Sequence, residues 1–508
     1  MKEPVLIVGA GPVGLTMAMT LRRRGVDVRI VDKAAARTDK SKALAIWPRT
    51  LELLDIEGCA HRFVDAALIT RGAHIREAGG RELLHVPFST ARSNYKFALM
   101  LPQSDTERLV EDELRALGVE VERQSELLSF VEAEELIVAR LRRADGRVDA
   151  VVASWLVGCD GAHSTLRHAV GATFDGETAP SDFLLADVDV EGDVPRDELT
   201  ICWAADGIVV LFPIDGVRMR VIADAGPLGA KPRPPPTLEE IQALVDQRGP
   251  PGLRLHTPLW LSCFRINERK VKDYRFGRVF LAGDAAHVHS PAGGQGMNTG
   301  MQDAFNLAWK MALVWRGDAA PWLLDTYSPE RSAIGDQVLR NASNMTRVAL
   351  LRNPLMQEIR RLAASHLGRI PALRQHMVDQ LTEVDLHYRD SPLTMAAQGV
   401  DPQPRPGERA VDLALSAPLP TASRLNEVLA QGKFAVLSVD VPIVDLPQGL
   451  ARIATAVHAP ANADYAAGHV WLVRPDAYVA TVSPARDPSA IFSLLQRRTG
   501  SMPVPLVG

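Results

Sequence analysis

A chain of 508 residues, 46% hydrophobic and 23% charged, is long enough for two or three domains with real cores and has the balance of a globular protein. Its net charge of −4 comes with Lys and Arg scattered among the acids, which points away from nucleic acid and membrane surfaces as partners. The cysteines, Cys59, Cys159, Cys202 and Cys263, form no C-x-x-C pair, so neither a metal site nor a local redox dithiol is expected, and a reducing compartment fits. The chain opens almost directly on an apolar strand, with no room for a signal peptide, and no apolar run is long enough to span a bilayer. A cytoplasmic location is expected.

The run Val5-Leu6-Ile7-Val8 predicts a buried strand, residues 15–24 a helix ended by Gly25, and residues 26–31 a second strand finishing at Asp32. Between strand and helix lies Gly9-Ala10-Gly11-Pro12-Val13-Gly14. A G-x-G-x-x-G in that setting, with an acid about twenty residues on, is a dinucleotide-binding fingerprint. Gly9 permits the tight turn, Gly11 the approach of a pyrophosphate, and Gly14 the packing of helix on strand, while Asp32 accepts hydrogen bonds from a ribose. Pro12 and Lys33 complete this candidate cofactor-binding set. The motif alone does not separate FAD from NAD.

Further on come Ser41-Lys42-Ala43 and Trp47-Pro48-Arg49-Thr50-Leu51-Glu52. Gln103 precedes a helix expected over residues 105–117, with Leu109, Val110, Leu114 and Leu117 along one side; a glutamine there also serves as an ordinary cap. Strands are expected at 119–121, at 127–131 and at Trp155-Leu156-Val157-Gly158, the last leading into the turn Asp160-Gly161 and a helix capped by Ser164. Between about 174 and 272 the texture turns to alternating segments at 184–190, 199–203, 208–213 and 219–223, which suggests an inserted antiparallel sheet.

At Val279-Phe280-Leu281-Ala282 an apolar strand stops at Gly283-Asp284, so the Asp284 carboxylate faces the ligand crevice of an open α/β sheet. Pro291 and the run Gly293-Gly294-Gln295-Gly296 follow, and a helix should begin at 297–299, with Met301, Ala304, Phe305, Ala308, Met311 and Ala312 at helical spacing. Its start points free N–H groups and the positive end of the dipole at whatever lies over the glycines, which suits a flat ring that becomes anionic. His287 and His289 read as loop residues rather than metal ligands.

Together Gly283-Asp284-Ala285-Ala286-His287, Pro291, Gly293-Gly294-Gln295-Gly296-Met297-Asn298 and Asp303-Ala304-Asn306-Leu307-Ala308-Trp309-Lys310 resemble the second flavin motif of the FAD-dependent aromatic hydroxylases, the single-component flavoprotein monooxygenases. The resemblance implies noncovalent FAD, NADPH or NADH as reductant, and O2 as co-substrate. A flavin hydroperoxide would then pass one oxygen to a small aromatic, phenolic substrate. It also implies that Lys42 stands where the family has an arginine, that Gln103 meets the ribityl region, that the adenine lies near Leu127, and that Asp160-Gly161 belongs to the pyrophosphate region. Asp284, Pro291, Gly294, Gln295, Gly296, Met297 and Asn298 would surround the flavin. No catalytic base identifies itself.

The expected architecture is α/β: a discontinuous Rossmann-like FAD-binding domain (1–173 and 276–390), an inserted antiparallel-sheet substrate domain (174–275) and a thioredoxin-like unit (391–508) without redox cysteines, reached through a proline-rich linker at 401–407. Trp203, Phe212, Met219, Arg220 and Pro291 are candidates for the substrate wall. Tyr327, Glu330 and Arg331 resemble the family's Tyr-x-x-Glu-Arg segment, and 472–476 resembles its C-terminal extension. Baeyer–Villiger oxygenation of a ketone or polyketide, or noncatalytic FAD binding, are the alternatives, and homodimer formation stays open. A halogenase is disfavoured because the Trp-x-Trp-x-Ile-Pro signature is absent.

Overall fold

The computed structural model describes residues 2–499 except 39–40, 228–232, 292, 368–369, 398–401 and 420–421. A parallel sheet built on Val5–Val8 anchors it: this strand pairs with Val28–Val31 on one side and Trp155–Gly158 on the other, and the latter pairs with Val279–Leu281. Val121–Glu122 and Arg275–Phe276 close the two edges. All four residues of Val5–Val8 and of Trp155–Gly158 are buried, as expected of parallel strands covered on both faces. Helices Pro12–Arg23 and Gly296–Arg316 pack together against the sheet. The glycine loops and Asp284 thus meet at the carboxyl ends of the strands, where such sheets bind ligands.

The large antiparallel sheet has eight strands in the order His287–Val288, Arg254–Lys270, Asp175–Glu191, Arg218–Pro227, Ile208–Pro213, Leu199–Trp203, Gly72–Glu77, Glu82–Pro87. Three of these come from outside 174–275. The hairpin 72–87 joins through a parallel pairing of Gly72–Glu77 with Leu199–Trp203, so this sheet is more than an insertion between two halves of a nucleotide domain. Alternation could not reveal this, because pairing between strands distant in sequence leaves no local signal.

Helix Leu238–Arg248 covers one face, where Met219, Val221 and Ala223 join Ile241 and Val245 in a core cluster. On the other face Ile201, Trp203, Val210, Phe212 and Ile222 are half-buried.

The C-terminal sheet runs Ala454–Ala459, Phe434–Val439, His469–Val473, Val479–Pro484; the first pair is parallel and the rest antiparallel. The stretch expected as a linker is packed instead. Asp401 lies outside the described residues, but Pro402 and Pro404 are buried, Gly407 N–H donates to the Val479 carbonyl (2.7 Å), and Trp471 Nε1 donates to the Pro404 carbonyl (3.1 Å). Proline and glycine here shape a docked loop rather than a tether. The cysteines are free. Among the described residues no helix is long and apolar enough to cross a membrane.

Candidate active site

The nucleotide crevice is built from backbone. Gly9 lies at φ +99°, and a Cβ there would stand 2.3 Å from the Cys159 carbonyl oxygen; a Cβ on Gly14 would stand 1.9 Å from that of Gly9. At Gly11 a Cβ would meet no protein atom within 4 Å. The first and third glycines therefore serve the fold, and the second leaves room for a ligand. A cavity of about 230 Å³ opens there, lined by Gly9, Gly11, Asp32, Lys33, Leu127 and Asp160 among others. The adenosine-end residues expected from the sequence thus meet around one space.

Asp32 accepts from the N–H groups of Ala10 (2.7 Å) and Ala34 (2.8 Å), which fixes its carboxylate at the rim. Asp160 accepts from Ser164 Oγ (2.5 Å) and the Leu166 N–H (3.2 Å), while Ser164 accepts from the Arg167 N–H, so the Asp-Gly turn is locked onto the following helix. Arg167 donates to the Ala285 carbonyl (3.1 Å) and the Ala162 carbonyl (2.7 Å), tying this turn to the Gly283-Asp284 segment.

At the other end, Gly293 and Gly294 take φ of +90° and +64°, and the helix starts at Gly296. Its first backbone bond runs from the Thr299 N–H to the Gln295 carbonyl (2.9 Å), so Gly296, Met297 and Asn298 stand at its open amino end. The side chains of Gln295 and Asn298 hydrogen-bond within the protein. Asn298 accepts from the Trp47 N–H (2.9 Å) and donates to the Ala45 carbonyl (2.9 Å); Gln295 donates to the Gln380 carbonyl (2.8 Å); and Trp47 Nε1 donates to the Gly293 carbonyl (2.8 Å). They brace the loop. Trp47 was missed in the sequence as a site residue.

Asp284 is solvent-exposed although Gly283, Ala285 and Ala286 around it are buried, so its side chain opens into the cleft. The surrounding protein raises its carboxyl above the ordinary value, opposed by His287 and Lys42. Lys42 is thereby placed in the field of this carboxylate, on a loop held by Arg220, which donates to the carbonyls of Ser41 (2.6 Å) and Lys42 (3.0 Å). His289 lies beside Gly296, whose Cβ position is 3.7 Å from its Cε1; burial, then His287, lowers its pKa to about 4, so the ring is neutral near pH 7. Gln103 donates to Glu107 (2.9 Å) and accepts from the Ala43 N–H (3.2 Å), fastening the Lys42 loop to its helix.

The four candidate wall residues from the large sheet divide by strand parity. Trp203 and Phe212 lie on the face that meets the Ala45, Trp47 and Met100 cluster beneath the glycine loop. Met219 is fully buried on the opposite face, so it is core and not wall. Arg220 shares the Phe212 face but is buried and paired with Asp187 (2.8 Å), so it positions a loop rather than presenting a free charge. Pro291 is exposed at the start of the loop.

Tyr327, Glu330 and Arg331 support the site from behind. Tyr327 donates to the Leu281 carbonyl (2.8 Å). Arg331 Nε donates to Asp303 (2.6 Å), which also accepts from the Gly283 N–H (2.9 Å) and lies 2.8 Å from His287 Nε2. Burial would raise the Asp303 carboxyl, but Arg331 and His287 outweigh it and hold it below the usual range. Glu330 pairs with Lys310 (2.7 Å) and with Arg474 of the C-terminal unit (2.7 Å).

The sequence profile of the FAD binding domain family matches residues 2–342. A 6-methylpretetramide 4-monooxygenase of Streptomyces rimosus is 39% identical over 443 residues, covering 82% of this chain and 78% of that protein. An uncharacterized aromatic compound monooxygenase of Bacillus subtilis is 34% identical and covers 96% of both chains. Among solved structures, CabE, an aromatic hydroxylase from angucycline biosynthesis, superposes with a TM-score of 0.80 at 30% identity, covering 98% of this chain and 99% of that one. With the glycine cradle, the cavity beside Gly11 and the open helix end fitting an FAD, these likenesses place the chain in the FAD-dependent aromatic monooxygenases.

Proposed function

We propose that this monooxygenase hydroxylates a fused-ring phenol, held flat along the Trp203 and Phe212 face of the large sheet. One observation carries the reading. Ile201, Trp203, Val210, Phe212 and Ile222 form a half-buried apolar row on one face of the large sheet, and Trp203 and Phe212 among them pack against the cluster that holds Trp47, the support of the glycine loop. A relative named 6-methylpretetramide 4-monooxygenase and a solved aromatic hydroxylase from angucycline biosynthesis support an aromatic substrate.

FAD supplies the oxygen-transfer chemistry when bound, with NADPH or NADH as reductant and O2 as co-substrate. Gly9, Gly11, Asp32, Lys33, Leu127 and Asp160 would hold its adenosine and pyrophosphate, and the backbone from Gly294 to Asn298 its ring system. The chain's own residues then do three things. The amino end of the Gly296–Arg316 helix stabilises negative charge beside it. Lys42, positioned by Arg220, offsets charge near Asp284. Phe212 and the neutral His289 leave their part of the pocket poor in charge.

The C-terminal unit, with a parallel pair extended by an antiparallel hairpin, supports a thioredoxin-like assignment, and its lack of cysteines gives it a packing role. The chain's cysteine usage supports a cytoplasmic setting.

The purified protein is tested by following NAD(P)H oxidation and oxygen uptake with tricyclic and tetracyclic phenols, single-ring phenols and cyclic ketones. The proposal expects the strongest stimulation, and a product one oxygen heavier, from the fused phenols. Preference for single-ring phenols, or a ketone converted to a lactone, overturns it.

A further inference from the structure

We infer that His74, His85 and Glu198 form a binding site for a zinc-type divalent metal ion, on the face of the large sheet turned away from the flavin. His74 and His85 are directly opposed on the strands Gly72–Glu77 and Glu82–Pro87, and Glu198 sits just before Leu199–Trp203 on the other side of the same strand. Their ligand atoms all lie within 4.8 Å of one another. Strand parity puts His74 opposite to Ala73 and Ile75, which face the Trp47 cluster, so this site is separate from the substrate wall.

The hydrogen bonding asks for a cation. His74 has a carboxylate at each ring nitrogen: Glu82 at Nδ1 (2.6 Å) and Glu198 at Nε2. A neutral imidazole carries a single N–H and satisfies one of them. His85 stacks on His74 with ring centroids 4.6 Å apart and aims its own Nε2 at the same Glu198 oxygen, 3.0 Å away. One dication takes both Nε2 atoms and the carboxylate together. Glu82 then fills the role of the outer carboxylate that orients a metal-bound histidine.

The chain also makes room for this cluster. Gly72 has an ordinary negative φ, so no left-handed turn demands it. A Cβ there would lie 2.9 Å from Glu198 Oε1 and 3.1 Å from His85 Nε2, as well as 2.9 Å from the Val86 carbonyl oxygen. Side-chain exposures of 15% for His74, 17% for Glu198 and 38% for His85 leave a path for the ion from solvent. Two imidazoles and one carboxylate favour zinc over calcium or magnesium. The ion would fasten the 72–87 hairpin to Leu199–Trp203, a pairing the chain otherwise makes between segments more than a hundred residues apart.

The experiment uses the full-length flavin-loaded protein, stripped with a chelator, desalted, and titrated with zinc chloride against a chromophoric zinc indicator, with retained metal measured by plasma mass spectrometry. One zinc per chain is expected, with a rise in Tm that calcium and magnesium chloride do not reproduce. His85→Ala and Glu198→Gln should weaken binding about 100-fold or more, and Glu82→Gln about 10-fold to 100-fold, each keeping its flavin absorbance as a sign of intact folding. No retained zinc, equal retention by wild type and His85→Ala, or equal competition by calcium overturns the assignment. If His85→Ala loses its flavin, the more conservative Glu198→Gln decides the matter.

Discussion

The nucleotide crevice and the seam between the flavin half and the C-terminal unit are held in opposite ways. The crevice is made of backbone and empty space, with glycines where a side chain would strike a carbonyl or a ligand. The seam is filled with buried charge. Glu330 accepts from Lys310, from Arg474 and from Asn306 (2.8 Å); Asp476 accepts from Arg474 (2.7 Å); and Arg49, over the Tyr478 ring at 4.7 Å, donates to the Asp476 carbonyl (2.7 Å). Burial alone would raise the Glu330 carboxyl, yet Arg474 and Lys310 hold it well below the usual range. A crevice that must admit a cofactor keeps its polar groups on the main chain, while a seam closed off from solvent satisfies full charges with each other.

The largest effect should come from unbalancing the seam. Glu330→Ala leaves Lys310 and Arg474 buried without their shared carboxylate and should cost about 3–5 kcal/mol, read as a large fall in denaturation midpoint or in soluble yield. The glycines sharpen the contrast. Gly14→Ala forces a Cβ onto the Gly9 carbonyl and should cost about 3 kcal/mol or more, whereas Gly11→Ala should melt like the wild-type apoprotein and lose affinity for FAD, measured by flavin fluorescence titration.

Beneath the flavin helix, Glu383 accepts from Gln302 (2.7 Å) and Thr299 (3.0 Å), and burial, the largest influence, raises its pKa to about 8. The folded state therefore binds more protons than the unfolded chain between about pH 4.3 and that value, so stability is greatest below this window and declines as pH rises through it. Glu383→Gln should remove that decline, raising folding stability near pH 8.5 by on the order of a few kcal/mol, read as a higher Tm, and changing little near pH 5.

The smallest pair tests the two faces of the large sheet. Met219→Ala should cost about 2–3 kcal/mol of stability with KM unchanged. Phe212→Ala should leave Tm nearly intact and raise KM for the aromatic substrate by about 10-fold.

How much of this was legible depends on where each partner lies in the chain. Gly9, Gly11, Gly14 and Asp32 act within one strand-helix-strand unit, so their spacing disclosed them. The helix start at Gly296 was legible for the same reason. Glu330, Arg331 and Arg474 carried a resemblance but no visible purpose, because their partners lie as far as 144 residues away. His74, His85 and Glu198 escaped because no local ligand spacing marks them; only the pairing of distant strands brings them together. The division between Met219 and Arg220 was available in principle, since Met219, Val221 and Ala223 alternate with polar Arg218 and Arg220.

A bound flavin here serves to transfer one oxygen atom from dioxygen to an aromatic ring. The most direct measurement is turnover of a fused-ring phenol with NAD(P)H under isotopically heavy dioxygen, with the product analysed by mass spectrometry. One heavy oxygen, attached to a ring carbon, is expected. A product labelled only from water, or NAD(P)H consumed solely to make hydrogen peroxide with every aromatic compound supplied, would contradict it.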